Sequence, residues 1–259
     1  MVNCRSLFLS HGAPTLVLEA SPTHRFLVSL GKALRRPRAI LCISAHWETA
    51  RPMLSGASMP PTIHDFFGFP QALYTRNYPA PGDPALADRV AARLQQAGYE
   101  AGVDRTRGLD HGAWVPLALM YPEADVPVVQ LSVQPVLGAQ HHLALGRELA
   151  GLREQDVLVL ASGGATHNLR EFAGQGLDAE VPAYVREFDQ WLDGVVADGR
   201  AGEAAEYERT PWGARNHPTP EHLLPLFVAW GAGGAHTGGR VLHKAFNYGI
   251  LSMSAYAWE

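Results

Sequence analysis

The stretch AILCISAHWET, Ala39 to Thr49, decides the reading of the fold. Ile40, Leu41 and Ile43 sit in an uncharged, β-branched run, which predicts a strand over Ala39–Ser44 with both faces buried. The run then ends on His46 and Trp47, an imidazole beside a large aromatic. Two other apolar runs end alike. SLFLSHG, a strand predicted over Arg5–Ser10, stops at His11, and VLVLASGGATHNL, predicted over Asp156–Gly163, leads to His167.

Between these strands lie helical patterns with clear start signals. Ser21 and Pro22 open one helix that stops before Pro37, and Asp83 and Pro84 open another that ends at Gly98. Further helices are predicted over AQHHLALGRELAGLRE, over Pro182 to Asp198, and from near Thr219, which places His222 in a first helical turn. Strands are predicted at Met53–Gly56 and Val126–Val133, and GRVLHKAF and GILSMSAYAW read as a closing antiparallel pair. The alternation gives an α/β class: a single domain over residues 1–259, with a mixed, mostly parallel central sheet and helices on both faces. Ligands of open α/β sheets bind beyond the carboxyl ends of strands. His11, His46 and His167 all fall just past such ends.

Composition narrows the function. The chain is 47% hydrophobic and 18% charged with a formal charge of −4, so it can build a full core and has no basic block for a nucleic-acid partner. No apolar run approaches the ~20 residues that span a bilayer, and the start does not read as a secretion signal. Cys4 and Cys42 read as buried thiols of a cytoplasmic protein. The expected partners are small molecules, and the expected state is a monomer or small homo-oligomer. Histidine is the enrichment, at 12 residues, and imidazole is both a common metal ligand and a general base near neutral pH. Phosphate loops, C-x-x-C, G-x-S-x-G and H-E-x-x-H are all missing.

His11 and His46 occupy equivalent places, which favours a metal. A third ligand has to come from elsewhere, and NHPTPEHLLPL offers His217, Glu221 and His222. Such a set suits catalytic zinc or non-haem Fe(II). In GLDHGAWVPL, Asp110 can cap a helix while His111 either faces solvent or meets a substrate oxygen. His24, His141, His142 and His236 read as surface or partly buried, and His243 as a satisfied sheet residue. The irregular stretch from Met59 to Pro84 is long for a loop without a role. It carries His64, Asp65, Phe66, Phe67 and Phe69, either as a lid over an aromatic substrate or as a surface loop.

FLSHGAP, SAHWET, PPTIHDFFGFPQALY, YPAPGDPALA, DHGAWVPL, MYPEADVPVVQLSV, ASGGATHNLR and PTPEHLLPL occur in an order and spacing that resemble the class III extradiol ring-cleavage dioxygenases, in particular the 4,5-DOPA extradiol dioxygenase-like proteins. The likeness runs from about Leu7 to the C-terminus. It implies one divalent metal per chain, Fe(2+) or Zn(2+), and cleavage of a DOPA-like catechol by O2 to a muconic semialdehyde-type product. It implies His11, His46 and His222 as ligands, His167 as base or fourth ligand, and His111 as a substrate-facing histidine. His64, Trp47, Phe66 and Trp114 are then expected against the substrate, with Arg170 meeting a carboxylate. Two other readings use the same residues: a zinc-dependent hydrolase, and a metal-binding protein without turnover.

Overall fold

Ala39–Glu48 is a central strand with neighbours on both edges. The computed structural model describes residues 6–259; Cys4 lies outside them. The strands are β1 Ser6–Ser10, β2 Ala39–Glu48, β3 Met53–Ser55, β4 Gly102–Asp104, β5 Val128–Val133, β6 Val157–Gly163, β7 Arg240–His243, β8 Phe246–Asn247, β9 Leu251–Ser252 and β10 Ala255–Trp258. The helices are α1 Pro22–Ala33, α2 Gln71–Tyr74, α3 Pro84–Gln96, α4 His111–Met120, α5 Gly138–Glu148, α6 Ala183–Ala197, α7 Ala201–Ala204, α8 Gly213–Asn216 and α9 Leu224–Gly234. None is long and apolar enough to cross a membrane.

The main sheet runs β4-β3-β5-β2-β6-β1-β10-β7. Its four central strands, β5, β2, β6 and β1, are parallel, and β3 and β10 join antiparallel at the two sides. Alternation along β2 explains the two cores. Leu41 and Ile43 enter a cluster with Leu86 of α3, Leu143 of α5 and Phe227 of α9, while Ile40 and Cys42 enter the opposite cluster with Leu27 of α1 and Leu117 of α4. Helices therefore cover both faces, as an apolar parallel sheet requires. The caps act as the sequence predicts: the Ser21 hydroxyl accepts from His24 N at 3.2 Å, and Asp83 accepts from Leu86 N at 2.8 Å.

Four expectations need correction. β2 runs on to Glu48, with its pairing to β5 irregular after Ile43, so His46 belongs to the strand itself. His222 precedes α9: its carbonyl accepts from Gly164 N at 2.9 Å instead of joining the helical ladder, and Leu224 and Pro225 begin the helix. The closing strands do pair antiparallel as β7 and β10, but β8 and β9 separate from them as their own hairpin, turning through Tyr248 and Gly249 at positive φ. His142 is fully buried, accepting from Gln134 N at 3.0 Å and donating Nδ1–H to Gly138 O at 2.7 Å.

That burial predicts acid sensitivity. Desolvation pushes His142 down to about 4, and burial does the same to His217. Between pH 6.5 and 4 the unfolded chain takes up protons that the folded chain refuses, so stability is fully present above 6.5 and falls as pH drops. Each histidine contributes about 1.4 kcal/mol per pH unit over that window. Urea unfolding from pH 7.5 to 4.5 checks this, and His142→Gln is expected to flatten the slope by close to one proton.

Candidate metal centre and active site

Strand register brings the site together. At their carboxyl ends β6 pairs with β2 at Ser162 and Ser44, and with β1 at Gly163 and Ser10. His11 and His46 follow one and two residues later, so both imidazoles reach one rim. Their Nε2 atoms lie 2.9 Å apart. His222 arrives from the far end of the chain. Its turn packs against the tip of β6, where a Cβ on Gly163 would lie 2.1 Å from the His222 carbonyl oxygen; only glycine admits this approach. One ring nitrogen from each of His11, His46 and His222 falls within 4.8 Å of the others.

Hydrogen bonds set two tautomers. Ser162 Oγ donates to Gly112 O, so its lone pair accepts Nδ1–H of His11 at 3.0 Å and leaves His11 Nε2 bare. Glu221 Oε1 takes Nδ1–H of His222 at 2.8 Å, and His222 Nε2 is buried without a partner. A buried, unpaired imidazole nitrogen is costly by itself. Burial, before any neighbour, holds all three rings neutral: His46 is lowered to about 3, and His11 and His222 lie well below the usual histidine range. Three imidazoles held neutral, with one ring nitrogen of each within 4.8 Å of the others, are the ligand form that a divalent metal takes, so this donor set fits the group that the sequence implies. Glu221, the neighbouring candidate, supports His222 from behind.

Two further imidazoles share the space. The His167 ring stacks on His222, with centroids 3.4 Å apart and planes 8° apart, and burial, ahead of the neighbouring His217, lowers it to about 3. It groups with Glu221 and His222 rather than with His11 and His46. His111 is the first residue of α4, its ring 3.9 Å from that of His46. The cap below it is Asp110, which is fully buried and accepts from Ala113 N at 3.2 Å, Ser44 Oγ at 2.6 Å, Gln130 Nε2 at 2.8 Å and Arg107 Nη2 at 2.8 Å. Gly112 is small by necessity, since a Cβ there would lie 2.4 Å from Ser44 Oγ.

The long loop is tied down rather than free. Ile63 N and Leu109 N bond to Leu109 O and Pro61 O, and Trp114 Nε1 donates to Ile63 O. So anchored, it brings Asp65 to the site. Asp65 Oδ1 accepts His111 N at 2.9 Å and lies 3.0 Å from His111 Nδ1, while Oδ2 is 3.7 Å from His46 Nδ1. Burial opposes the Asp65 charge, but the His111 ring and backbone N–H outweigh it and hold the carboxyl at about 2. Asp65 was not among the site residues expected from sequence; its only signal was its place in an unusually long loop. Asp65→Asn is expected to lower kcat by about 10- to 100-fold while metal content stays at the parent level, measured by turnover and metal analysis side by side.

A pocket of about 480 Å³ opens over these five histidines, and Phe66 lines it. Trp47, His64, Trp114 and Arg170, expected against the substrate, do not. Trp47 follows His46 on a strand, so it points to the opposite face, under Arg107. His64 Nε2 is engaged by Arg76 O at 2.9 Å. Trp114 is buried behind Phe66, and Arg170 is exposed outside the pocket.

Residues 6–258 match the family described as the catalytic LigB subunit of aromatic ring-opening dioxygenase. The chain is 43% identical over 258 residues to a 4,5-DOPA dioxygenase extradiol of Beta vulgaris, covering 97% of this chain and 95% of that one. It is 40% identical over 255 residues to a protein of the same name from Escherichia coli K12, covering 96% and 92%. The crystal structure of an uncharacterized protein from Escherichia coli K12 matches with a TM-score of 0.83 at 34% identity, covering 97% of this chain and 98% of the other.

Proposed function

This chain belongs to the family of LigB catalytic subunits of aromatic ring-opening dioxygenases and is an extradiol ring-cleavage dioxygenase, and from that premise we propose that it opens a catechol ring beside its pair of hydroxyls. Both atoms of O2 enter the product, a muconic semialdehyde. The observation that carries this reading is the convergence of three neutral imidazoles, one ring nitrogen of each within 4.8 Å of the others, at the floor of a pocket walled by aromatic side chains, with two more imidazoles beside them. The hydrolase and binding-protein readings give way to the family membership.

His11, His46 and His222 hold the metal. A divalent ion there supplies the positive charge that favours catecholate over catechol, and iron(II), which imidazole suits as well as zinc, adds the redox capacity that dioxygen requires. His167 lines the pocket, stacked on His222, and is placed to receive a catechol proton; such a base contributes about 10²–10⁴-fold. His111, with Nδ1 3.0 Å from Asp65, presents its other ring nitrogen to the pocket as an acceptor for a substrate hydroxyl. Phe66 provides a flat face for the ring and excludes water.

The test is anaerobic reconstitution with Fe(II), addition of a catechol and admission of air. DOPA is the first choice, because the curated relatives carry its name. Oxygen uptake equal to catechol consumed, with a yellow product, is the expected result. No uptake with any of several catechols would sink the reading.

A further inference from the structure

The walls of the pocket differ in character from its floor. Above the histidines stand Phe66, Phe69, Leu169, Phe172, Ile250 and Leu251. Among the described residues, no Lys, Arg, Asp or Glu side chain lines the cavity. The charged groups nearby are engaged elsewhere: Asp65 on His111, Glu221 on His222, and Arg107 on Asp110. Arg170, the residue expected to meet a substrate carboxylate, points outside. Tyr248 is the one polar non-histidine side chain in the wall, and its hydroxyl donates to Glu19 at 3.4 Å. The mouth is apolar too. Phe67 is 92% exposed, Leu169 55% and Phe172 47%, and all three belong to this pocket. Large apolar side chains gathered in solvent around a single opening mark a binding surface.

We propose that the catechol opened here carries an apolar substituent, an alkyl or aryl group, rather than an amino-acid side chain. This inference rests on the ring-cleavage reading and names its substrate class. A zwitterionic substituent laid along these walls would shed water and find no ion partner, a loss of free energy. An alkyl chain gains instead, roughly four-fold in affinity for each methylene covered. Phe172, edge-on to Tyr248 with ring centroids 5.5 Å apart, forms a half-exposed part of this wall, open to a substituent that extends from the ring.

The test compares catechol, 4-ethylcatechol, 4-butylcatechol and DOPA on the Fe(II)-loaded enzyme. Oxygen uptake gives kcat/KM, and anaerobic calorimetric titration gives Kd without turnover. We expect Kd to fall from catechol through 4-ethylcatechol to 4-butylcatechol, and kcat/KM for 4-butylcatechol to exceed that for DOPA by about 10-fold or more. DOPA equal to or better than 4-butylcatechol in both measurements overturns the inference and leaves ring cleavage standing. Binding of the alkylcatechols with no ring opening of any of the four overturns the ring-cleavage reading, and this inference with it. Phe172→Arg, at an exposed position, adds a cation to the wall. It is expected to raise the DOPA to 4-butylcatechol ratio of kcat/KM by about 10-fold; an unchanged ratio means that the substituent does not reach this wall and counts against the proposal.

Discussion

Replacing His46 by alanine is expected to abolish ring opening, with a loss of about 10³-fold or more, and to leave the purified protein nearly metal-free. The reason is the pairing of nitrogens at the rim. His46 Nε2 faces the bare Nε2 of His11 at 2.9 Å, and removing one of three neutral imidazoles leaves two donors around a divalent ion. Such an ion is worth several kcal/mol to the reaction, which is the source of the rate estimate. Metal analysis after dialysis against a mild chelator checks the first part and oxygen uptake the second. The fold should survive, because His46 sits at the pocket rim, outside both apolar core clusters.

The second large effect is expected at His167. His167→Gln keeps the size and polarity of the side chain but cannot take up a proton. We expect kcat to fall by about 10²–10⁴-fold while metal content and the Kd for catechol stay within a few-fold of the parent. The contrast with His46→Ala is the informative part. A parallel loss of metal in His167→Gln would make it a fourth ligand. Retention of metal with loss of kcat assigns it as the base, the role suggested by its grouping with Glu221 and His222 rather than with His11 and His46.

Much of this was legible in the residues. Uncharged strands that stop at a histidine announced both a sheet buried on two faces and the rim on which those histidines meet. Signals that act locally, such as Ser21 before Pro22 or Asp83 before Pro84, gave the helix starts. What escaped depended on contacts between distant parts of the chain. His222 lies outside its helix because Gly164 claims its carbonyl, and nothing near His222 in sequence shows that bond. Asp65 is one acid in a loop until Leu109, Ile63 and Trp114 pin that loop beside α4. Trp47 reads as a pocket wall by proximity to His46, yet adjacent strand residues face opposite ways. Trp47 and Trp114, each close to a histidine in sequence, were therefore poor guides to the lining, while Phe66, Phe67 and Phe69 of the long loop do line it.

The separate origins of the three proposed ligands also bear on how the protein folds. His11, His46 and His222 are supplied by β1, β2 and the turn before α9, and no two come from one local segment. A hairpin, a helix pair or any half-assembled intermediate therefore holds at most part of the set and has little hold on the ion. Occupancy becomes a count of chains whose sheet has closed from β1 through β6 to β2, and each increase in free metal above its dissociation constant raises the cost of opening that sheet. An ion held by this proposed set would act as a late clasp on the assembled fold, and its uptake during refolding would date the moment at which the two ends of the chain meet.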